Sequence, residues 1–249
     1  MSRLFLTGDT HRLMDTVKID TFDRKIGHEL NSDDYLIIVG DFGGIWTGVD
    51  ILGDKAPLDI LKKEHMEDYD KWPRVFWEKK PYTVLFIDGN HENHDALDAY
   101  PIEKWHGGKV HRIYSNTYHL MRGQIFELAG KSIFTFGGAE STDKANRVES
   151  LSWWAREMPS IEEYNEAYQN LQKHGNRVDI ILTHCAPETT VNDLGMPRMY
   201  YRSHNDLTMQ LDTIAQTVKF DDWYFGHYHK DSDLGKFHMR YDWIDEITE

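Results

Sequence analysis

Five short apolar runs in this chain each stop at a side chain able to bind a metal ion. Leu4-Phe5-Leu6-Thr7-Gly8 leads into Asp9 and His11, and Leu36-Ile37-Ile38-Val39-Gly40 leads into Asp41. Leu85-Phe86-Ile87-Asp88-Gly89 presents Asn90 and His91, and Trp223-Tyr224-Phe225-Gly226 presents His227 and His229. The fifth, Asp179-Ile180-Ile181-Leu182-Thr183, delivers His184 without a glycine. Runs of this length rich in Val, Ile, Phe and Tyr read as buried strands. A glycine after a strand permits a tight turn that directs the next side chain inward. The pattern restricts the chain to a mixed α/β fold with its ligands at strand ends, where open sheets bind them. Because the candidates extend from Asp9 to His229, nearly the whole chain is needed to build the site, and residues 1–249 are expected to form one domain.

Asp9 and His11 are two residues apart, as are His227 and His229. In extended backbone such pairs point to one face, while Thr10 and Tyr228 turn away. Either pair alone is an ordinary accident of sequence; the five strand ends together are not. Carboxylate, imidazole and an asparagine carbonyl form a mixed oxygen and nitrogen set suited to Mn, Fe, Zn, Co or Ni rather than calcium. Seven such groups exceed the needs of one ion and suit two that share a carboxylate, an arrangement that can clamp both oxygens of a displacement at phosphorus.

The remaining composition narrows the setting. Cys185 is the only cysteine, which excludes an internal disulfide and fits a reducing compartment. No apolar run approaches the roughly 18 residues that cross a bilayer. The first strand candidate begins at Leu4, leaving no room for a leader, so a cytoplasmic location without membrane association is expected. The formal net charge is -14, with 42 acidic against 28 basic residues, which does not advertise a broad nucleic-acid groove. That leaves nucleic acid open as a partner, since bound metals can supply local positive charge, and the sequence assigns no oligomeric state.

Between the strand candidates, residues 16–30 read as a helix with Val17, Ile19, Phe22, Ile26 and Leu30 as its apolar positions, and residues 58–80 as helix-prone sequence interrupted at Pro73. Phe42-Gly43-Gly44-Ile45-Trp46 reads as a flexible turn. Residues 93–100 are a short helix or loop, 124–129 and 132–136 a hairpin about Gly130-Lys131, and 207–218 a helix. Ser160-Ile161-Glu162-Glu163 is a capping box that opens a helix running to Gly175. Residues 237–244 read as one closing strand.

The strand-end residues also carry a resemblance. G-D-T-H at Gly8 to His11, G-D at Gly40-Asp41, G-N-H-E at Gly89 to Glu92, T-H at Thr183-His184 and G-H-Y-H at Gly226 to His229 occur in the order of the calcineurin-like metallophosphoesterases. Within that superfamily the chain is most similar to small bacterial and phage-type members with G-D-F-G-G and S-W-W segments. The resemblance implies a four-layer α/β/β/α sandwich of two mixed sheets flanked by helices. It implies that Asp9, His11, Asp41 and His229 hold one divalent ion, and that Asp41, Asn90, His184 and His227 hold a second, with Asp41 bridging. Mn²⁺ is the expected metal, with Fe, Zn, Ni and Co as alternatives, and a bridging water or hydroxide is the implied nucleophile. His91 matches the family's proton donor to the leaving group. One position departs: many members carry an aspartate that pairs with this histidine, where this chain has Gly44. The orientation and pKa of His91 must then be set by another group; Asp88, Glu92 and Asp95 are nearby in sequence, and the sequence places none of them at its ring.

The loop from Gly137 to Arg147 opens on a glycine pair, as where backbone passes close to something, and carries Lys144 and Arg147. These are expected substrate-phosphate ligands, Arg147 foremost because a guanidinium matches phosphate oxygens in bidentate fashion; a solvated surface loop is the alternative. His94 either lines the pocket or lies at the surface, Cys185 packs rather than ligates, and Trp153 and Trp154 either wall a nucleobase pocket or pack beneath the helix that follows. The expected activity is metal-dependent hydrolysis of a phosphate ester, with a diester of a nucleotide or nucleic acid preferred. A monoesterase acting on a phosphoprotein or small phosphometabolite is the alternative enzyme, and a non-catalytic scaffold of the same fold is the third reading.

Overall fold

In the computed structural model, which describes residues 2–56, 69–196 and 206–248, the strands form two sheets packed face to face. The first contains β1 (Leu4–Thr7), β2 (Tyr35–Val39), β3 (Thr83–Ile87), β4 (Ile102–Trp105), β5 (Gly108–Tyr114) and β6 (Thr117–Leu120), with β13 (Ile244–Ile247) at one edge in the order β13-β1-β2-β3-β6-β5-β4. The second contains β7 (Gln124–Leu128), β8 (Lys131–Phe136), β9 (Ile180–Thr183), β10 (Asp222–Phe225), β11 (Ser232–Leu234) and β12 (Phe237–Met239), in the order β11-β12-β10-β9-β8-β7. β1, β2, β3 and β6 are parallel, as are β8, β9, β10 and β12, and antiparallel strands close the edges. Both sheets are therefore mixed, and the expected four layers are present.

Alternation along each strand assigns the layers. Leu4 and Leu6 of β1, Ile37 and Val39 of β2, and Leu85 and Ile87 of β3 face Phe126, Ile133, Ile180 and Leu182 of the other sheet. Phe5, Leu36, Ile38, Val84 and Phe86 point the opposite way, onto helices that supply Ile19, Phe22, Trp77, Ala96 and Leu97. Behind the second sheet, Phe134, Phe136, Ile181 and Trp223 pack against Tyr164 and Leu171 of the helix Ile161–Lys173 and Leu211 of the helix Asp206–Thr217. Complete burial of an aliphatic or aromatic side chain contributes about 1.5–3 kcal/mol, so these three apolar layers dominate the cohesion of the fold. Among the described residues no helix is long and apolar enough to cross a membrane.

Several local expectations hold. Ser160 accepts from Glu163 N while the Glu163 carboxylate accepts from Ser160 N, completing the capping box. Asn93 caps the helix His94–Ala99. Others are corrected. The helix from residue 16 runs only over Val17–Lys25, and Val17 is 72% exposed. Pro73 is the third residue of the helix Lys71–Glu78, in the first turn, where its missing N–H leaves no bond unmade; residues 58–68 of the expected helix lie outside the described residues. The β7–β8 turn is Ala129-Gly130, both at positive φ as a two-residue hairpin turn requires, and Lys131 opens β8. Residues 237–244 divide into β12 and β13 in different sheets. The break is made by the Asp231 carboxylate, which accepts from the backbone N–H groups of Tyr241, Asp242 and Trp243, and by buried Arg240, which pairs with Asp233 and Asp245.

Candidate metal centre

The C-terminal ends of β1, β2 and β3 meet those of β9 and β10 at one edge of the sandwich, and all seven expected ligands gather there. His11 Nε2 lies 3.2 Å from Asp41 Oδ2, and His229 Nε2 lies 3.2 Å from Asp9 Oδ2. One donor atom from each of these four residues falls within 4.8 Å of every other. On the far side of Asp41, its Oδ1 is 3.3 Å from His184 Nε2. Asn90 Oδ1 is 3.3 Å from that same nitrogen and 3.1 Å from His227 Nδ1. Asp41 thus stands between two groups of donors, one oxygen towards each.

The local backbone differs from the extended form that the two-residue spacing suggests. His11, Asp41, His227 and His229 all adopt positive φ, so the pairs converge through left-handed turns rather than strand pleat. Thr10 and Tyr228 still face away: the Thr10 hydroxyl donates to Phe42 O, and Tyr228 Oη accepts from Ala186 N. Of the strand-end glycines, Gly40 alone has positive φ. Gly89 and Gly226 serve by lacking a Cβ, which would overlap Asp41 and Asp9 respectively. The Phe42–Ile45 segment is buried, and its turn is held by the Glu92 carboxylate, which accepts from Phe42 N and Gly43 N.

The donor chemistry fits divalent ions. Asp9 Oδ2 is buried and forms no hydrogen bond despite the nearby His229 nitrogen, as befits an oxygen gathered with other ligands rather than matched to a proton donor. His184 Nδ1 lies 2.9 Å from Val39 O and His11 Nδ1 2.6 Å from Asp15 Oδ2, which leaves each Nε2 directed inward, the usual outer support of a metal-binding imidazole. Burial would lower both imidazoles, but Asp41 and Asp9 outweigh it and raise His184 to about 10 and His11 to about 9. The same burial would raise Asp41, which His184 and His11 instead hold well below the usual carboxylate range. Two buried carboxylates demand positive charge at this point, and divalent ions satisfy that demand with the imidazoles neutral. His227, pushed down to about 3 by burial and the charge of His184, is neutral in either case.

His91 lies at the rim, with its backbone N–H donating to Asp41 Oδ1. Neither Asp88, Glu92 nor Asp95 reaches its ring: Asp88 pairs with buried Arg122 and His119, Glu92 holds the Phe42 turn, and Asp95 accepts from Trp154 Nε1. Gly44 packs against the Phe42 ring, and its carbonyl accepts from the Tyr114 hydroxyl. The charged group at the His91 ring nitrogens is Arg147, with Nη1 3.3 Å from Nδ1 and Nη2 3.2 Å from Nε2, while the His11 ring meets it edge-on. Burial, and after it the Arg147 charge, push the His91 pKa down, although Asp41 opposes them. Lys144 does not join the cluster; its ammonium pairs with Glu157 at 2.9 Å and Glu140 at 3.3 Å. His94 is buried beneath the site with Nε2 3.2 Å from Gly89 O, and Cys185 is buried.

Two cavities meet at His91 and Arg147. One, of about 180 Å³, is bounded by Asp41, Asn90, Thr142, His227 and His229. The other, of about 220 Å³, is walled by Met14, Trp46, Tyr69 and Arg12, with His11 at its inner end. Arg12 lies over the Tyr69 ring at 3.5 Å, and the Asp70 carboxylate fixes the Trp46 loop by accepting from Trp46 N and Gly48 N. Trp154 is buried against the edge of Trp46 and Trp153 sits beside Lys144, so the tryptophan that walls this cavity is Trp46, a residue the sequence marked only as part of a turn.

A family model described as calcineurin-like phosphoesterase matches residues 2–231. A lariat debranching enzyme of Schizosaccharomyces pombe is 27% identical over 191 residues, covering 74% of this chain and 37% of that protein, so the chain spans little more than a third of that relative's length. Among solved structures, phosphopantetheinyl hydrolase (PptH) from Mycobacterium tuberculosis is similar at TM-score 0.40 and 13% identity, over 96% of this chain and 88% of that one. A further crystal structure matches at TM-score 0.48 and 12% identity, over 96% and 89%. With its donors gathered at the strand ends and the family model spanning residues 2–231, the chain belongs to the calcineurin-like phosphoesterases, a family of metal-dependent hydrolases.

Proposed function

We propose that the protein hydrolyses a phosphodiester of a nucleotide or nucleic acid at a binuclear centre held by Asp9, His11, Asp41 and His229 on one side and Asp41, Asn90, His184 and His227 on the other. The observation that carries this reading is the position of Asp41, one carboxylate oxygen towards each group of donors. Two divalent ions held there, Mn²⁺ foremost, would supply the charge that lowers the pKa of a bound water and offsets that of the phosphoryl oxygens. Arg147 borders both cavities and binds a phosphate oxygen. His91 donates the proton that the leaving oxygen requires, a contribution of about 10² to 10⁴ in rate. Lys144 acts on the loop rather than on substrate.

A diester has a second ester arm that must be housed, and the cavity walled by Trp46, Tyr69 and Met14 adjoins the ligand cluster through His11 and His91. Aromatic walls flanked by an arginine suit a nucleobase, for which stacking contributes about 1–3 kcal/mol. Similarity to a lariat debranching enzyme supports the same preference. The test compares kcat/KM on bis-p-nitrophenyl phosphate, p-nitrophenyl phosphate and a dinucleotide, with Trp46→Ala alongside. The reading predicts faster diester than monoester hydrolysis, and a KM for the dinucleotide raised about tenfold in Trp46→Ala, equivalent to roughly 1.4 kcal/mol. Faster monoester hydrolysis selects the monoesterase instead, and no hydrolysis by the metal-loaded protein selects the scaffold.

A further inference from the structure

An asparagine that binds a cation must present its carbonyl oxygen and turn its amide nitrogen away, yet the two ends have nearly the same shape. In this chain the choice at Asn90 is made by its hydrogen-bond partners. Asn90 Nδ2 donates to Ser141 Oγ at 3.2 Å, while Oδ1 lies towards His184 and His227. Ser141 is buried, and its own hydroxyl proton is committed: Ser141 Oγ donates to Glu157 Oε2 at 2.7 Å and Ser141 N donates to Oε1 at 2.8 Å. Glu157 is fully buried and faces the Lys144 ammonium at 2.9 Å, which has only protons to offer and keeps the carboxylate an acceptor. With its single proton given to Glu157, the Ser141 oxygen can only accept, and the group that it accepts from must be the Asn90 NH₂.

We infer that Glu157 and Ser141 are positioning residues that set the orientation of the Asn90 carboxamide, so that Oδ1 rather than Nδ2 faces the second ion. The inference rests on the proposed role of Asn90 as a ligand. The loop that brings Ser141 to this place is held by the end of β3 itself: Gly138 N donates to Asp88 O at 2.9 Å, and a Cβ at Gly137 would overlap Asp88. The arrangement also accounts for Lys144, whose charge completes the chain from outside. Neither Ser141 nor Glu157 touches the expected ions, so their effect passes through Asn90 alone.

This mechanism has a signature that a merely structural role lacks. Aspartate has two equivalent oxygens and no wrong orientation, so Asn90→Asp removes the need for Ser141. The experiment is a Mn²⁺ titration followed by electron paramagnetic resonance and metal analysis of the full chain, comparing wild type, Ser141→Ala, Asn90→Asp and the double variant. The expected result is a fall of about 10- to 100-fold in affinity for the second ion in Ser141→Ala, the range typical for loss of an outer partner, with the first ion unchanged. In the Asn90→Asp background the same Ser141→Ala change should alter affinity by less than about threefold. Ser141→Cys, close in size but a weak acceptor, should behave as Ser141→Ala and serves if the alanine variant folds poorly; Ser141→Thr should retain binding. Unchanged second-ion affinity in Ser141→Ala and Ser141→Cys, or an equal loss in both backgrounds, overturns the inference and leaves the binuclear reading standing. A wild-type chain that binds no second ion overturns both.

Discussion

The Arg147 guanidinium spans both ring nitrogens of His91, at 3.3 and 3.2 Å, where the family resemblance leads to the expectation of a carboxylate partner. A carboxylate would raise the imidazole pKa and hold it protonated; a guanidinium does the reverse. The His91 pKa is lowered by burial first and by Arg147 next, against the pull of Asp41. The same arginine is held by Asp143, at 2.8 Å, and borders both cavities, which places it where a substrate phosphate would draw it off the ring.

The pH profile should reflect this. If His91 acts as the acid, the free enzyme must carry its proton, so kcat/KM falls as pH rises through the His91 pKa, which lies below the ordinary 6.5. Arg147→Ala removes a lowering influence and should move that limb to higher pH, while reducing kcat/KM at the optimum by about tenfold or more through loss of a charged hydrogen bond to phosphate. His91→Gln should abolish the limb and lower kcat by about 10² or more with metal content retained. A pH profile identical in wild type and Arg147→Ala would separate the two residues functionally.

Asp88 and Arg122 form a buried pair behind the β3 turn. Burial would raise the Asp88 carboxyl, but Arg122 and His119 outweigh it and hold it well below 3.8. Its stabilising contribution is therefore present above about pH 3.8 and is lost as pH falls through the depressed native value. Asp88→Asn leaves the Arg122 charge without its main partner and should cost about 3 kcal/mol at neutral pH. Urea unfolding at pH 7 and pH 3 provides the check: the gap between wild type and variant should narrow at the lower pH.

Cys185 follows His184 in sequence but belongs to the apolar layer behind the second sheet. Burial pushes its thiol up to about 12, so it stays protonated when folded, whereas an unfolded chain ionises near the ordinary 9.0. A thiol-reactive disulfide reagent at pH 8 should label the native protein slowly and the urea-unfolded protein at once. Fast labelling of the native protein would show that the layer is open at this point.

Much of the site was legible because its residues stand immediately after apolar runs, and a run followed by Asp, Asn or His is a local pattern. Residues that act from a distance in the chain leave no such mark. Arg147 meets His91 across 56 positions and Glu157 reaches Asn90 only through Ser141, so neither relationship has a local signal. The fold shows the same division. β1, β2, β3, β9 and β10 announce themselves by composition. The meander β4–β6 does not, because Ile102 is exposed while His111 and His119 are buried, which inverts the apolar alternation by which a strand is read. The parting of β12 from β13 likewise depends on Asp231 capping three backbone groups from ten to twelve residues away.

Metal content tests most directly whether Asp41 joins two ion sites. Wild type and Asp41→Asn, purified together and equilibrated with Mn²⁺, would be measured for bound metal per chain and for hydrolysis of bis-p-nitrophenyl phosphate. The account predicts about two ions per wild-type chain, a clear loss of bound metal in the variant, and hydrolysis only in the wild type. Two ions retained by Asp41→Asn with activity intact, or none bound by the wild type at saturating Mn²⁺, would contradict it.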